Sequence, residues 1–218
     1  PRVLVPDWLK RPAPALLPAE NLLRPSDQDD DQRRLRRGES DEGRARALQR
    51  GTLVHRLLQS LPDIAPDGRT AAAQRFLTCN ATGWSDEERA ALAAQVLALI
   101  EDPRFAAVFA PGSRAEVPIV GRLARRGVPV LVSGQIDRLV VTGAEVLIVD
   151  YKTNHAPPRA EAGAPRAYVR QLASYRAVLG RMYPQRTVRA ALLWTEVPDI
   201  MEISASALDA EQADLSPL

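Results

Sequence analysis

The sequence predicts an α/β fold whose core runs helix, three strands, helix, strand, with further helices added ahead of the strands, and three observations carry it. Residues 133–152 read as two apolar strand segments, 136–141 and 146–149, folded about a tight turn. A helix-patterned stretch, 165–183, then separates this hairpin from another strand, 188–197, so two strands become parallel neighbours through a right-handed crossover. Ahead of the hairpin lie helical stretches with apolar residues three and four apart.

The elements follow in order. Residues 1–42 are read as a linker or extension: six prolines lie among its first 25 residues, and Asp27, Asp29, Asp30 and Asp31 then meet Arg33, Arg34, Arg36 and Arg37. It starts without Met and reads as a linker cut from something longer. Residues 43–218 form the single folded domain. From Arg44 to Leu61 a helix stacks Leu48, Gly51, His55 and Leu58 on one face and stops at Pro62. Asp67 caps a second helix. Ser85 and Glu88 form the S-x-x-E box of a third, which turns Leu92, Val96, Leu99 and Ile100 inward. Asp102-Pro103 opens a short helix that Pro111-Gly112 closes. A strand follows from Arg114, a turn at Arg126-Gly127, a strand from Val128, the 133–152 hairpin, the 165–183 helix, strand 188–197 and a short antiparallel return, 200–203.

At 218 residues and 45% hydrophobic, the chain can bury a substantial core. No apolar run approaches the roughly 20 residues of a membrane span, and no signal pattern opens the chain, so a soluble cytoplasmic protein is expected. One cysteine, Cys79, excludes an internal disulfide and any cysteine-only metal or iron-sulfur site. A formal charge of +2 leaves the partner open. All but two of the 29 basic residues are arginine, the lysines being Lys10 and Lys152. Where arginine is the default, a retained lysine points to chemistry that needs an amine able to change its charge.

The hairpin supplies that context. With Gly143-Ala144 as a two-residue loop, Thr142 faces Glu145, and counting back along both strands sets Asp137 opposite Asp150. Opposed carboxylates repel, and a cation between them would remove the conflict. Alternation puts Asp150 and Lys152 on one face and Tyr151 on the other. On the 165–183 helix, Tyr168, Gln171, Tyr175 and Met182 share a face, and the Gln171 amide and Tyr175 hydroxyl can serve a site or a nucleic-acid backbone. His55 taken alone reads better as a core histidine satisfied by hydrogen bonds than as a ligand.

Taken together, Gly51-x-x-x-His55, the Asp137 of G-x-I-D, Asp150-Tyr151-Lys152-Thr153 and Gln171-x-x-x-Tyr175 resemble, in this order, the motif series of RecB-family nucleases in the PD-(D/E)XK superfamily. Glu116-Val117-Pro118 and the phrase V-D-Y-K-T-N look most like the AddA-type nuclease domains of bacterial AddAB helicase-nucleases, over residues 44–204. The resemblance implies the α-β-β-β-α-β restriction-endonuclease-like core. It implies His55, Asp137, Asp150 and the Tyr151 carbonyl as metal ligands, with Asp137, Asp150 and Lys152 as the catalytic residues. Gln171, Tyr175 and Glu116 would shape the site or contact DNA. His155 has no counterpart and reads as a solvated loop residue. Relatives with an iron-sulfur cluster hold it with four cysteines, which this chain lacks.

The expected function is therefore a metal-dependent nuclease of single-stranded DNA, using Mg²⁺ with Mn²⁺ able to substitute. It would act beside a helicase in double-strand-break repair, with DNA and an AddB-type subunit as partners. The alternative is a nuclease-fold module that has lost catalysis and binds DNA or braces an interface. Lys152 would position or deprotonate the attacking water, or stabilise the charged transition state; the sequence does not choose.

Overall fold

A computed structural model describes residues 21–25, 41–153, 157–213 and 215–217. Most of the 1–42 extension, and His155, lie outside the described residues. Three helices come first: α1 (Asp41–Ser60), α2 (Pro66–Asn80) and α3 (Asp86–Glu101). The Ser85/Glu88 box starts α3 as expected, Glu88 N donating to Ser85 Oγ at 3.2 Å and Ser85 N to Glu88 Oε2 at 2.7 Å. Asp67 is not the cap of α2. Pro66 takes the first helical position, where a missing N–H costs nothing, and Asp67 falls in the first turn.

The sheet is built from β2 (Arg114–Arg125), β3 (Val128–Val141), β4 (Glu145–Lys152), β5 (Thr187–Trp194) and β6 (Asp199–Ile203), with α4 (Arg166–Met182) between β4 and β5. β4 and β5 are parallel and the other consecutive pairs antiparallel. The two segments expected around 128–132 and 136–141 are one 14-residue strand. Two elements were not expected at the end of the chain, α5 (Ala205–Gln212) and β7 (Leu215–Pro217), the latter pairing with the end of β2. Within the stretch read as extension, β1 (Asn21–Leu23) pairs in parallel with Val130–Val132 of β3.

Helices cover both faces of the sheet. Leu53, Leu57, Leu58, Leu77, Leu92, Leu99 and Phe105 pack with Val149, Tyr151 and Leu193 on one side. Leu172, Tyr175, Val178 and Leu208 pack with Ile119, Val132, Ile136, Ile148 and Leu192 on the other. Burial of these side chains, at about 1.5–3 kcal/mol each, is the main force holding the layers. Two residues expected on inward faces are exposed: Leu48 (44%) near the start of α1 and Met182 (61%) at the end of α4. Arg50 pins α1 to the sheet by donating to Glu196 past the end of β5 at 2.7 Å and to Gln95 of α3 at 2.5 Å.

Candidate metal centre and active site

Two hairpin turns set the site. Gly143 and Ala144 form the β3–β4 loop, Thr142 N donating to Glu145 O at 2.9 Å, and the register behind it pairs Val141 with Val146 through to Arg138 with Val149. Continued by one residue, that register would set Asp137 opposite Asp150, but the pairing ends at Arg138↔Val149. The β2–β3 turn obeys the same count. Arg126 (φ 51°) and Gly127 (φ 79°) both have positive φ, as a two-residue type I′ turn requires, and Arg125 pairs with Val128. Following that register sets Glu116 between Ala115↔Arg138 and Val117↔Ile136, and so opposite Asp137. Three carboxylates, Glu116, Asp137 and Asp150, thus occupy one row across three strands.

The sheet breaks at this row. Ile136 and Leu139 both face the α4 layer, whereas Arg138 between them donates to Leu58 O of α1 at 3.1 Å. Strict alternation forbids that combination, so the pleat resets at Asp137. Glu116 is the matching kink on β2, with φ 51° inside a strand, a conformation that costs free energy and clusters at functional sites. Beyond Arg138↔Val149, β3 stays with β2, and β1 takes its other edge at Val130–Val132, while β4 continues along β5 to Lys152↔Trp194. The result is a fork between β3 and β4, and the acidic row lies at its apex.

Each side chain at the fork has a defined partner. Asp137 Oδ2 accepts the Tyr151 backbone N–H at 2.6 Å, and Oδ1 lies 3.4 Å from His55 Nδ1. A strand residue's N–H and C=O point to the same edge, so the Tyr151 carbonyl also faces the fork, while Lys152 O accepts Thr195 N on the β5 side at 3.0 Å. One donor atom each from His55, Glu116 and Asp137 lies within 4.8 Å of the others. Asp150 stands beside this group, its Oδ2 2.9 Å from Lys152 Nζ and its Oδ1 accepting from Gln171 Nε2 at 3.0 Å. Lys152 is 3% exposed, its ammonium 3.8 Å above the centre of the Tyr168 ring. Tyr175 is seated by Gly134, where any Cβ would stand 2.3 Å from its hydroxyl. Gly51 performs the same service for Thr153, whose hydroxyl would lie 3.1 Å from an added Cβ.

The electrostatics match an anionic cage. Burial disfavours a charged His55, yet the Asp137 carboxylate, with Asp150 and Glu116 behind it, outweighs burial and lifts the imidazole above its ordinary 6.5. Glu116 is raised above its ordinary 4.5 by burial and then by the charge of Asp137. Groups that hold protons this way release them to a cation. An imidazole with carboxylates converging on one point fits a divalent ion, carboxylate oxygen suiting Mg²⁺ and the imidazole favouring a softer ion such as Mn²⁺.

This chain belongs to the PD-(D/E)XK nuclease superfamily. The family model spans residues 31–215, from before α1 to β7, and so takes in the whole row. Membership implies nuclease activity, DNA as the bound partner and a divalent metal at the acidic cluster. No curated protein matches the chain significantly. Among solved structures, that of SSO0001 is similar over 91% of this chain and 77% of its own, at 12% identity and a TM-score of 0.34, too loose a likeness to bear on the site. Among the described residues no helix is long and apolar enough to cross a membrane.

The structure brings His55, Asp137, Tyr151, Asp150, Lys152, Gln171 and Tyr175 to the fork or its lining. Glu116 was expected only to shape the site or contact DNA, and it lies instead within the group that can hold a metal. The signal was present in the sequence, because the count that sets Asp137 opposite Asp150, applied to the Arg126-Gly127 turn, sets Glu116 opposite Asp137. Tyr168 was placed on one face with Gln171 and Tyr175, without its role as a seat for Lys152. Cys79 is free and exposed on α2.

Proposed function

We propose that the chain is a Mg²⁺- or Mn²⁺-dependent nuclease domain that hydrolyses phosphodiester bonds of single-stranded DNA, fed to it by a helicase during double-strand-break repair. The observation that carries this reading is the acidic row at the fork, flanked by His55 from one layer and Lys152 over Tyr168 from the other. His55, Asp137, Asp150 and the Tyr151 carbonyl, joined by Glu116, would hold the ion. Bound there, it would supply Lewis-acid stabilisation of charge on the phosphorus centre and acidify an attacking water.

The chain's own residues do the rest. Asp137 holds β4 in place through Tyr151 N–H and orients His55. Gln171 fixes one oxygen of Asp150 and leaves the other to Lys152. Lys152, paired with that carboxylate and lying over the face of Tyr168, orients the nucleophile or offsets the charge that develops on the phosphate. The AddA-like phrasing of the motifs supports a helicase motor in the same full-length chain and an AddB-type partner.

The test is a labelled single-stranded oligonucleotide incubated with EDTA, Mg²⁺ or Mn²⁺, beside Asp150→Ala. Cleavage is expected only with metal and only in the parent protein. Cleavage that persists in EDTA or in Asp150→Ala would overturn the mechanism, and silence in every lane is the outcome of an inactive nuclease-fold module.

A further inference from the structure

The three acids of the row share one arrangement: each gives one oxygen to a nitrogen donor of the protein. Asp137 Oδ2 accepts the Tyr151 N–H, and Asp150 Oδ1 accepts from the Gln171 amide. Glu116 Oε2 accepts from Gln135 Nε2 at 2.6 Å. Gln135 pairs with Pro118 across the β2–β3 ladder, two residues along from Glu116, a diagonal separation that a long side chain spans. The same Nε2 also donates to the Glu116 carbonyl at 3.3 Å. An amide nitrogen carries two hydrogens, and here both go to one residue, one to its backbone and one to its carboxylate.

That residue is the one with φ 51° inside a strand. With its carbonyl and its carboxylate tied to a single nitrogen, Glu116 keeps little freedom to swing. Gln135 itself is exposed, so filling the core does not account for it.

What this clip does follows from the two ways a carboxylate grips a cation. Ca²⁺ takes roughly six to eight oxygens in flexible geometry and accepts both oxygens of one carboxylate, whereas Mg²⁺ requires a near-octahedral set at shorter distances. With Oε2 held by Gln135, Glu116 has Oε1 to turn to an ion and acts as a one-oxygen ligand. Resting on the metal-dependent reading above, we infer that Gln135 is a positioning residue that keeps Glu116 monodentate and so sets the site's preference for Mg²⁺ or Mn²⁺ over Ca²⁺. It acts through Glu116 alone and takes no part in the chemistry.

The experiment is a calorimetric titration of the full chain with Mn²⁺ and with Ca²⁺, in the absence of DNA, with cleavage of a labelled single strand read separately in Mn²⁺. The parent protein is expected to prefer Mn²⁺. Gln135→Ala should weaken Mn²⁺ about tenfold, the loss typical of a removed partner to a metal ligand, and leave Ca²⁺ unchanged or tighter. Gln135→Met, which fills similar space and donates nothing, should behave the same way. In a Glu116→Ala background neither substitution should change the affinity for either ion.

A parent without preference, an unchanged ratio in Gln135→Ala, or an equal loss for both ions would each overturn the role. Recovery in Gln135→Met would assign the effect to packing, and a further loss in the Glu116→Ala background would show a route that bypasses Glu116; both overturn it. If the preference shifts as expected but the parent never cuts DNA, the nuclease reading fails and the role of Gln135 stands. If the parent binds neither ion, the metal centre is wrong and the inference falls with it.

Discussion

The Asp137 carboxylate accepts the backbone N–H of Tyr151 across the mouth of the fork, at 2.6 Å, where a strand carbonyl would otherwise close the ladder. The same side chain therefore carries a structural bond and a charge that the site needs. Asparagine separates the two. Asp137→Ala should lose about 1–3 kcal/mol in denaturant melts by orphaning that N–H, whereas Asp137→Asn, which keeps an acceptor and relieves repulsion in the row, should lose little. Both should forfeit the rise in melting temperature that Mn²⁺ gives the parent protein. Retention of that rise in Asp137→Asn would remove Asp137 from the metal site.

Lys152 and Asp150 form a buried pair, their side chains 4% and 7% exposed. Lys152→Ala should abolish cleavage and also cost about 3–5 kcal/mol without metal, because Asp150 would keep a buried charge. Added Mn²⁺ should recover part of that stability by taking over the carboxylate. Wild-type turnover in the variant would contradict the catalytic role, and unchanged stability would contradict the pair.

His55 and Glu116 both hold their protons more tightly in the folded protein than in an unfolded chain, so the metal-free fold gains stability from them at low pH. That gain fades as pH climbs above the ordinary 4.5 of the glutamate and then above the ordinary 6.5 of the histidine, through their raised folded values. A divalent ion competes with those protons. The Mn²⁺-induced thermal shift should therefore grow between about pH 5 and pH 8. A shift that is flat or falling over that range would exclude proton release by these two groups.

Gly134 lets Tyr175 lie against β3. In Gly134→Ala the new methyl would meet the phenol at 2.3 Å from the hydroxyl and 2.8 Å from the ring, an overpacking worth about 1–3 kcal/mol that also displaces the lining of the fork. Tyr175→Phe removes the nearest atom and should return part of the loss. An unchanged melt in Gly134→Ala would show that the ring has room to move.

The register of the β3–β4 hairpin was legible because Gly143-Ala144 is a two-residue loop between apolar strands, and that count fixes which side chains oppose. The capping box of α3 and the buried face of α4 through Tyr168, Gln171 and Tyr175 were legible for the same reason: local chemistry with a fixed period. Legibility ended where the chain departs from periodicity. The pleat reset at Asp137 and the positive φ of Glu116 are imposed by packing between layers, and alternation alone assigns Arg138 to the wrong side relative to Ile136. The pairing of Asn21–Leu23 with β3 was hidden as well, since three residues carry no period to read and their partner lies more than a hundred positions away.

The two turns are far from the chemistry and point at nothing, yet they set the spacing of the acids. Surface loops are usually where a chain tolerates extra residues most easily. Here one residue added at 126–127 or 143–144 and passed into the pairing would carry a carboxylate to the opposite face, and Lys152 with it in the second case. A two-residue addition would preserve the faces but slide one acid about 7 Å along its neighbour. The length of these turns, more than their composition, is thus the part of the molecule where drift should be least forgiven.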